Sequence, residues 1–210
     1  MRKSTLSYAE AGIVTAICFG LFILLSLQAM AAGFPEARFT DEGNAWVVGV
    51  ELVLGSVALF YLHLRGFDIA SLYPAPTLAG SLVGLGVFAL SWLMGSLATA
   101  LFQTPGQTEM VAFSFDEVSA GAKVALAVVN GTYEEVFLLG VLVRGLRGFG
   151  LSLAIGLPLL VRVLYHLYQG PLGVVFVATV GLAMTLSFIL TRKLWPAVLA
   201  HMLWDIVPTL

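Results

Sequence analysis

The sequence predicts an all-α fold, a polytopic bundle of transmembrane helices, and its composition is the first observation behind this prediction. Hydrophobic residues fill 60% of the 210 positions and charged residues only 10%, so the mean hydropathy is +0.99. The second observation is a series of apolar runs that reach the roughly 20 residues a helix needs to cross a bilayer. Polar stretches with proline, glycine and acidic residues separate these runs. We therefore expect one membrane domain over residues 1–210.

Charge and cysteine content exclude other classes of protein. The formal net charge is −2, and the ten Lys and Arg residues are scattered, so the basic patch that nucleic-acid binding requires is missing. The single cysteine, Cys18, excludes an internal disulfide framework and a cysteine-rich metal site. We expect the lipid bilayer and a membrane-associated peptide or protein as partners, with no nucleic acid. The sequence leaves the oligomeric state open.

Three long spans are expected in the first part of the chain. They are predicted at residues 12–32, 45–64 and 78–102, with polar connections at 33–44 and 103–117. The second span carries Glu51 near its predicted start, where the carboxylate could reach the membrane interface.

Four further apolar segments follow. They lie at residues 118–142, 149–168, 172–190 and 196–207. The last is short, and its proline stands near the first helical turn, where proline is tolerated. The prediction is thus about six long spans plus a short C-terminal helix.

The positive charges predict the orientation. In an alternating topology two positive residues, Arg38 and Lys123, lie on one side of the membrane. The opposite side carries Arg2, Lys3, Arg65, Arg144, Arg147, Arg192 and Lys193. Because Lys and Arg are enriched in cytoplasmic loops, we expect an integral, multi-pass protein of the plasma membrane with a cytoplasmic N-terminus.

Two adjacent carboxylates, Glu134 and Glu135, interrupt the apolar fourth span. Their surroundings read Asn130-Gly-Thr-Tyr-Glu-Glu-Val-Phe-Leu-Leu-Gly140. A charge at the centre of a bilayer helix costs about 2.5–3.5 kcal/mol on insertion scales, so the pair suggests a functional site. Neighbouring helical residues point about 100° apart, so we expect the two carboxylates to have different roles.

Four other ionisable residues lie in the later apolar segments and could join this pair. Arg162 and His166 are four residues apart, as are His201 and Asp205, and this spacing puts each couple on one helix face. A buried carboxylate beside an imidazole can activate water. A second imidazole with a nearby carboxylate can stabilise a developing oxyanion. This set of groups favours hydrolysis of an acyl bond such as a peptide over a purely structural clamp.

A zinc site is an alternative that uses the same residues. Glu134, His166 and His201 would supply three ligands and leave one position for water. The compact His-Glu-x-x-His signature of many metalloproteases is missing, however. Serine chemistry is less favoured, since the sequence has no Gly-x-Ser-x-Gly elbow.

Three motifs in fixed order carry a resemblance to a known family. Glu134-Glu135, then Tyr-His166-Leu-Tyr-Gln-Gly, then His201-x-x-x-Asp205 closely resemble the CPBP family, the CAAX-protease and bacteriocin-processing group, also called Abi proteins. The resemblance covers about residues 128–207, so residues 118–210 would be the catalytic helices and residues 1–117 carry no recognised motif. It implies intramembrane proteolysis of prenylated C-termini, bacteriocin leaders or signalling peptides.

The resemblance also implies roles for the site residues. Glu134 and His166 would activate water, and His201 and Asp205 would stabilise the oxyanion. No cofactor is expected on this mechanism. Some descriptions of the family treat it as metal-dependent, which keeps zinc open as the alternative cofactor.

Two positions depart from the family pattern. The first motif of the family is Glu-Glu-x-x-x-Arg, but Leu139 stands at the arginine position. An aromatic residue usually precedes the histidine of the second motif by four positions, and here that residue is Arg162. Because an unpaired buried charge is costly, we hypothesise that Arg162 reaches across to pair with Glu135. In the alternative, Arg162 binds carbonyl groups or reaches the interface while Glu135 stays protonated.

Strictly alternating spans would leave Glu134 and His166 at different depths. We therefore expect a short fifth helix that begins after Gly156 and Pro158, together with a water-filled cavity around Glu134. Two other functions remain open, a catalytically silent scaffold and a proton-coupled transporter. The sequence shows no internal repeat or paired broken helices in favour of a transporter.

Overall fold

The computed structural model describes residues 4–103 and 111–209, and these residues are mostly helical. The main helices are α1 Tyr8–Ala31, α2 Asp41–Leu64, α3 Leu78–Phe102, α4 Ala120–Glu135, α5 Leu151–Tyr165, α6 Gly170–Thr191 and α7 Trp195–Ile206. Short 3-10 turns lie at Ile69–Leu72, Arg147–Phe149, Leu167–Gln169 and Val207–Thr209. The prediction of an all-α membrane bundle is confirmed.

The chain stays helical after the end of α4 at Glu135 but changes its winding. The chain continues as a π-helix over Val136–Val143 and then as a single turn at Arg144–Leu146. Together these pieces form one apolar helical segment, Ala120–Phe149, which we call the fourth span.

Within residues 4–103 and 111–209, five helical segments are long and apolar enough to cross a membrane. They are Tyr8–Ala31, Asp41–Leu64, Leu78–Phe102, Ala120–Phe149 and Leu167–Thr191. The segment predicted as a fifth long span is a helix of only 15 residues, α5. The predicted short C-terminal helix is α7, with 12 residues.

Helix α5 is short, as expected, but the expectation that it begins after Gly156 and Pro158 is wrong. It begins at Leu151, directly after Gly150, whose φ of 107° turns the chain back from the fourth span. Pro158 lies inside the helix and removes one backbone donor without ending it.

Side-chain caps fix where four of the long helices begin. The hydroxyl groups of Ser7, Thr40, Thr77 and Ser119 each accept a hydrogen bond from the backbone N–H three residues later. Such caps satisfy donors that the first helical turn leaves free. Ser7 and Glu10 form a complete capping box at the start of α1.

The fourth span is the centre of the bundle. In its most apolar stretch 72% of residues are buried, against 22%, 22% and 11% in the first three spans. Helix α4 packs between α2 and α7, helix α1 packs against α2 and α5, and helix α3 packs against α6 and α7. The acidic pair therefore lies on the most buried helix, while α1 to α3 present much of their surface to lipid.

Glycines let helix α7 approach its neighbours closely. A Cβ on Gly131 of α4 would come within 3.0 Å of the Met202 backbone nitrogen, and one on Gly84 of α3 within 2.9 Å of the Pro196 carbonyl oxygen. Small residues of this kind are typical of helix contacts in membranes. This close approach brings His201 and Asp205 toward α4.

The predicted polar connections contain a short strand pair. Strands β1, Ala37–Thr40, and β2, Phe113–Glu117, run parallel, with Ala37 opposite Phe113. Asp41 Oδ1 accepts a hydrogen bond of 2.7 Å from the Ser119 backbone and links the starts of α2 and α4. Residues 104–110, with part of the predicted second connection, and Arg2 and Lys3 lie outside the described residues.

Candidate active site

Glu134 and Glu135 stand at the end of α4, immediately before the π-helix. Their exposed fractions are only 5% and 0%. π-Helical turns inside α-helices are frequent at functional sites. Glu134 lies in the wall of a cavity, whereas Glu135 is not among the described residues that line it. The two carboxylates therefore differ in access as well as in direction.

Arg162 of α5 lies between these two carboxylates. Its Nη2 is 2.6 Å from Glu135 Oε1, and its Nη1 is 3.4 Å from Glu134 Oε2. The predicted pairing of Arg162 with Glu135 is thus present. Leu139, at the family's arginine position, is buried in the apolar core. A Cβ on Gly181 would lie 2.5 Å from Arg162 Cδ, so this glycine of α6 makes room for the arginine stem.

His201 of α7 contacts the acidic pair from the other side. Its Nδ1 is 2.6 Å from Glu135 Oε1, while its Nε2 is 3.7 Å from both Glu134 Oε2 and Asp205 Oδ1. Asp205 Oδ2 is buried without a hydrogen-bond partner among the described residues. Glu135 is therefore held between Arg162 and His201, and the Nε2 side of His201 faces Glu134 and Asp205.

His166 follows the last residue of α5 and lines the same cavity. Its Nδ1 is 2.9 Å from the Arg162 carbonyl oxygen. A carbonyl only accepts hydrogen bonds, so Nδ1 carries the proton and Nε2 of the neutral ring keeps a free lone pair. Within residues 4–103 and 111–209 no direct hydrogen bond joins His166 to Glu134. The two groups instead share one cavity wall.

Two further side chains hold Glu134, and sequence reasoning missed both. The Tyr165 hydroxyl donates a hydrogen bond to Glu134 Oε2. Asn130 Nδ2 is 3.2 Å from Glu134 Oε1 and 2.8 Å from Glu51 Oε1. Asn130 precedes Glu134 by four residues, a spacing that puts both on one helix face and could have revealed this contact.

Glu51 does not reach the membrane interface as predicted. Its exposed fraction is 2%, and it lines the cavity beside Asn130. Helix α2 begins at Asp41, four residues before the predicted start at residue 45. Glu51 therefore lies ten residues into the helix, about 15 Å from its first turn.

The cavity that joins these groups has a volume of about 790 Å³. It meets the expectation of a water-accessible space around Glu134, since a water molecule fills only about 30 Å³ of liquid. Arg162, His166, His201 and Asp205 also lie in its wall. Aromatic side chains form much of the remaining wall, namely Phe19, Trp46, Trp92, Tyr133, Phe176 and Trp204. The space is large enough for an extended peptide segment with apolar side chains.

The ligand set proposed for zinc is not the set that the fold brings together most closely. Among the described residues, ligand atoms of Glu134, Glu135 and His201 lie within 4.8 Å of one another, and this group contains Glu135 in place of His166. Arg162 already bonds both carboxylates and provides positive charge at this point. The residues present therefore fit a metal ion poorly, because a cation there would compete with the guanidinium.

Comparison with known protein families gives a match over the second part of the chain. No curated protein and no solved structure matches the chain. A family model described as Type II CAAX prenyl endopeptidase Rce1-like matches residues 118–207, a range that contains all six predicted site residues. This match confirms the resemblance to the CAAX-protease and bacteriocin-processing family.

Proposed function

We propose that the protein is an intramembrane endopeptidase that hydrolyses a peptide bond in a membrane-associated protein or peptide. The observation that carries this proposal is the meeting of Glu134, His166, His201 and Asp205, from three parts of the chain, in the wall of one cavity. The family match over the same residues supports a protease of the CAAX type.

Glu134 is suited to accept a proton from water. Hydrogen bonds from Tyr165 and Asn130 hold its two oxygens in place, so the carboxylate needs little rearrangement during the reaction. The free Nε2 of His166 can accept a second hydrogen bond from the same water molecule and orient it. The water oxygen then attacks the peptide carbonyl carbon, and the proton passes from Glu134 to the leaving nitrogen.

His201 and Asp205 would stabilise the oxyanion that this attack creates. Because Nδ1 of His201 is bonded to Glu135, Nε2 is the atom that can donate a hydrogen bond to the oxyanion when it carries a proton. Asp205 lies 3.7 Å from this nitrogen and lines the cavity. An ionised carboxylate cannot donate, so Asp205 acts directly only in its protonated form and otherwise supports His201.

Glu135 and Arg162 are positioning residues in this scheme. Glu135 is fully buried and fixes both the Arg162 guanidinium and the His201 ring. Arg162 would supply the cationic partner of Glu135 that the family motif carries at the position of Leu139. The proposed hydrolysis uses no metal ion.

A catalytically silent scaffold is the second candidate, and the loss of the arginine at Leu139 is the observation that favours it. In that case the same polar groups only clamp α4, α5 and α7 together. The chain would then act by binding a membrane partner.

Mapping the ends of cellular peptides separates the two candidates. Cells would express the wild type, Glu134→Gln, His166→Ala or a control, Glu117→Gln, which changes an exposed acid of β2. We expect new peptide termini with the wild type and the control, and their loss in both cavity variants. Identical peptide profiles in all four would support the scaffold and overturn the protease proposal.

A further inference from the structure

The two ends of the bundle differ in charge, and this difference bears on where the cavity opens. We propose that the cavity opens to the extracytoplasmic side of the membrane, so that its substrate is a peptide segment presented from outside the cytoplasm. The substrate class rests on the proposed function, whereas the side of access does not.

One end of the bundle, which we call the basic end, gathers most of the positive charge. Contacts join the start of α1 to the ends of α2 and the fourth span. Arg65 Nε lies 2.9 Å from Glu10 Oε1, Arg144 Nη1 lies 2.7 Å from Ser71 Oγ, and the Leu6 nitrogen lies 3.0 Å from the Gly145 carbonyl oxygen. The described Lys and Arg residues at this end are Arg65, Arg144, Arg147, Arg192 and Lys193.

The opposite end, which we call the strand end, carries β1 and β2 and few positive charges. Of the described Lys and Arg residues only Arg38 and Lys123 lie there, and both have partners. Arg38 Nη2 is 3.0 Å from Glu36, and Lys123 Nζ is 2.6 Å from the Thr209 carbonyl oxygen. Lys and Arg are enriched in cytoplasmic loops, so five positive residues against two place the basic end in the cytoplasm.

The cavity extends from the middle of the bundle to the strand end. Glu134, at the middle of the fourth span, and Arg162, in the last turn of α5, lie in its wall, and Phe39, Phe115 and Thr209 line it at the strand end. These last residues belong to β1, to β2 and to the turn after α7.

Toward the basic end the path to Glu134 is filled by apolar side chains. All eight residues of the π-helix, Val136–Val143, are buried. Seven of them, all except Gly140, belong to the hydrophobic core together with Leu72 and Leu194. A peptide coming from the basic end would have to part this core, whereas one coming from the strand end would meet the cavity wall that Phe39, Phe115 and Thr209 form.

This geometry selects among the substrates that such a protease could take. A lipidated C-terminus held at the cytoplasmic leaflet would lie on the closed side of the bundle. A secreted or outward-facing peptide segment would lie on the open side. Its apolar side chains would fit the aromatic wall of the cavity.

Labelling of single cysteines tests the side of access. In the Cys18→Ala background, Thr209→Cys introduces a thiol at the cavity mouth and Ser71→Cys introduces one at the basic end. A membrane-impermeant maleimide would be added to sealed right-side-out and inverted vesicles of expressing cells. We expect Thr209→Cys to react in right-side-out vesicles and to lose this reaction in inverted ones, and Ser71→Cys to behave in the opposite way. The reverse pattern, or reaction of both thiols from one side, would overturn the proposal.

The labelling does not depend on cleavage, so its failure differs from a failure of the proposed function. Adding Glu134→Gln to the Thr209→Cys protein should leave the labelling side unchanged. For the substrate class, the cleaved segments found by peptide mapping should come from proteins or domains outside the cytoplasm. Cleavage confined to cytoplasmic segments would contradict the proposal even if the protease activity itself is real.

Discussion

At the residue scale, Arg162 is the positive charge that lets two adjacent carboxylates be buried together. Two adjacent carboxylates buried in one helix repel each other, and the guanidinium between them offsets this repulsion with bonds of 2.6 and 3.4 Å. The planar fork of an arginine suits this position better than a lysine, since it reaches both carboxylates at once.

Replacing Arg162 should therefore destabilise the fold strongly. Arg162→Leu leaves Glu135 without its cation, and we expect the free energy of unfolding to fall by about 3–5 kcal/mol. The double variant Arg162→Leu with Glu135→Leu should lose less than the sum of the two single changes, because the Glu135 charge that Arg162 pairs is removed together with the arginine. Thermal unfolding in detergent measures this, with Arg147→Leu at an exposed position as the control. Additive effects would show that the pair does not act as a unit.

Tyr165 holds the proposed base, so loss of its hydroxyl should slow the reaction. Tyr165→Phe removes the hydrogen bond to Glu134 Oε2, and bonds to charged groups contribute about 1.5–3 kcal/mol, or roughly a ten- to hundredfold change in rate. Tyr168→Phe is a matched control, because the Tyr168 hydroxyl contacts Gln169 and not Glu134. Equal rates for the two variants would show that the hydrogen bond from Tyr165 to Glu134 does not assist the reaction.

At the scale of elements, the contact between α4 and α7 sets the distance between the acidic pair and His201. Gly131→Ala would bring a Cβ within 3.0 Å of the Met202 backbone and push α7 outward. We expect a loss of about 1–3 kcal/mol in stability, typical of overpacking, and a lower cleavage rate because His201 moves with α7. Gly121→Ala is the control, since nothing lies within 4 Å of its Cβ. A Gly131→Ala protein with wild-type stability and rate would contradict this role of the contact.

The pairing of Arg162 with Glu135 could be predicted from the sequence because an unpaired buried charge is costly. Arg162 and Glu135 each lacked a partner within their own motif, and mutual pairing was the least expensive arrangement for both. The order of apolar and polar stretches likewise predicted the helices in sequence. Both inferences follow from the free-energy cost of placing polar or charged groups in lipid.

Other features could not be predicted, for physical reasons that differ. Glu51 was placed at the interface because the acidic residues Asp41 and Glu42, which form the first turn of α2 after the Thr40 cap, are equally typical of a polar loop. The π-helix at Val136–Val143 is an all-apolar run, and such a run has no period that separates π from α winding. Tyr165 lies in an aromatic-rich segment, where a tyrosine that binds Glu134 looks the same as one that only packs.

At the scale of the whole molecule, the bundle encloses one acid- and histidine-lined cavity whose cation is supplied by the protein itself. Because Arg162 bonds the carboxylates of Glu134 and Glu135, we expect cleavage to continue after treatment with a strong zinc chelator. The rate of the purified protein before and after chelation measures this. Loss of activity that added zinc restores would favour the metal-dependent alternative.

The first three helices also contribute to the cavity. The family match covers residues 118–207, yet the cavity wall includes Phe19, Glu51 and Trp92 from the first three helices. We therefore propose that residues 1–210 act as one unit, with α1 to α3 completing the cavity.

The role of Glu134 is tested most directly by a cleavage rate. Purified protein in liposomes would be given a peptide substrate that the mapping experiment identifies. We predict that Glu134→Gln lowers this rate by about 10²- to 10⁴-fold, as expected for loss of a general base, and that His166→Ala also lowers it. Glu117→Gln, which alters an exposed acid, should cleave at the wild-type rate. A Glu134→Gln protein that cleaves as fast as the wild type would contradict the central claim that Glu134 activates the attacking water.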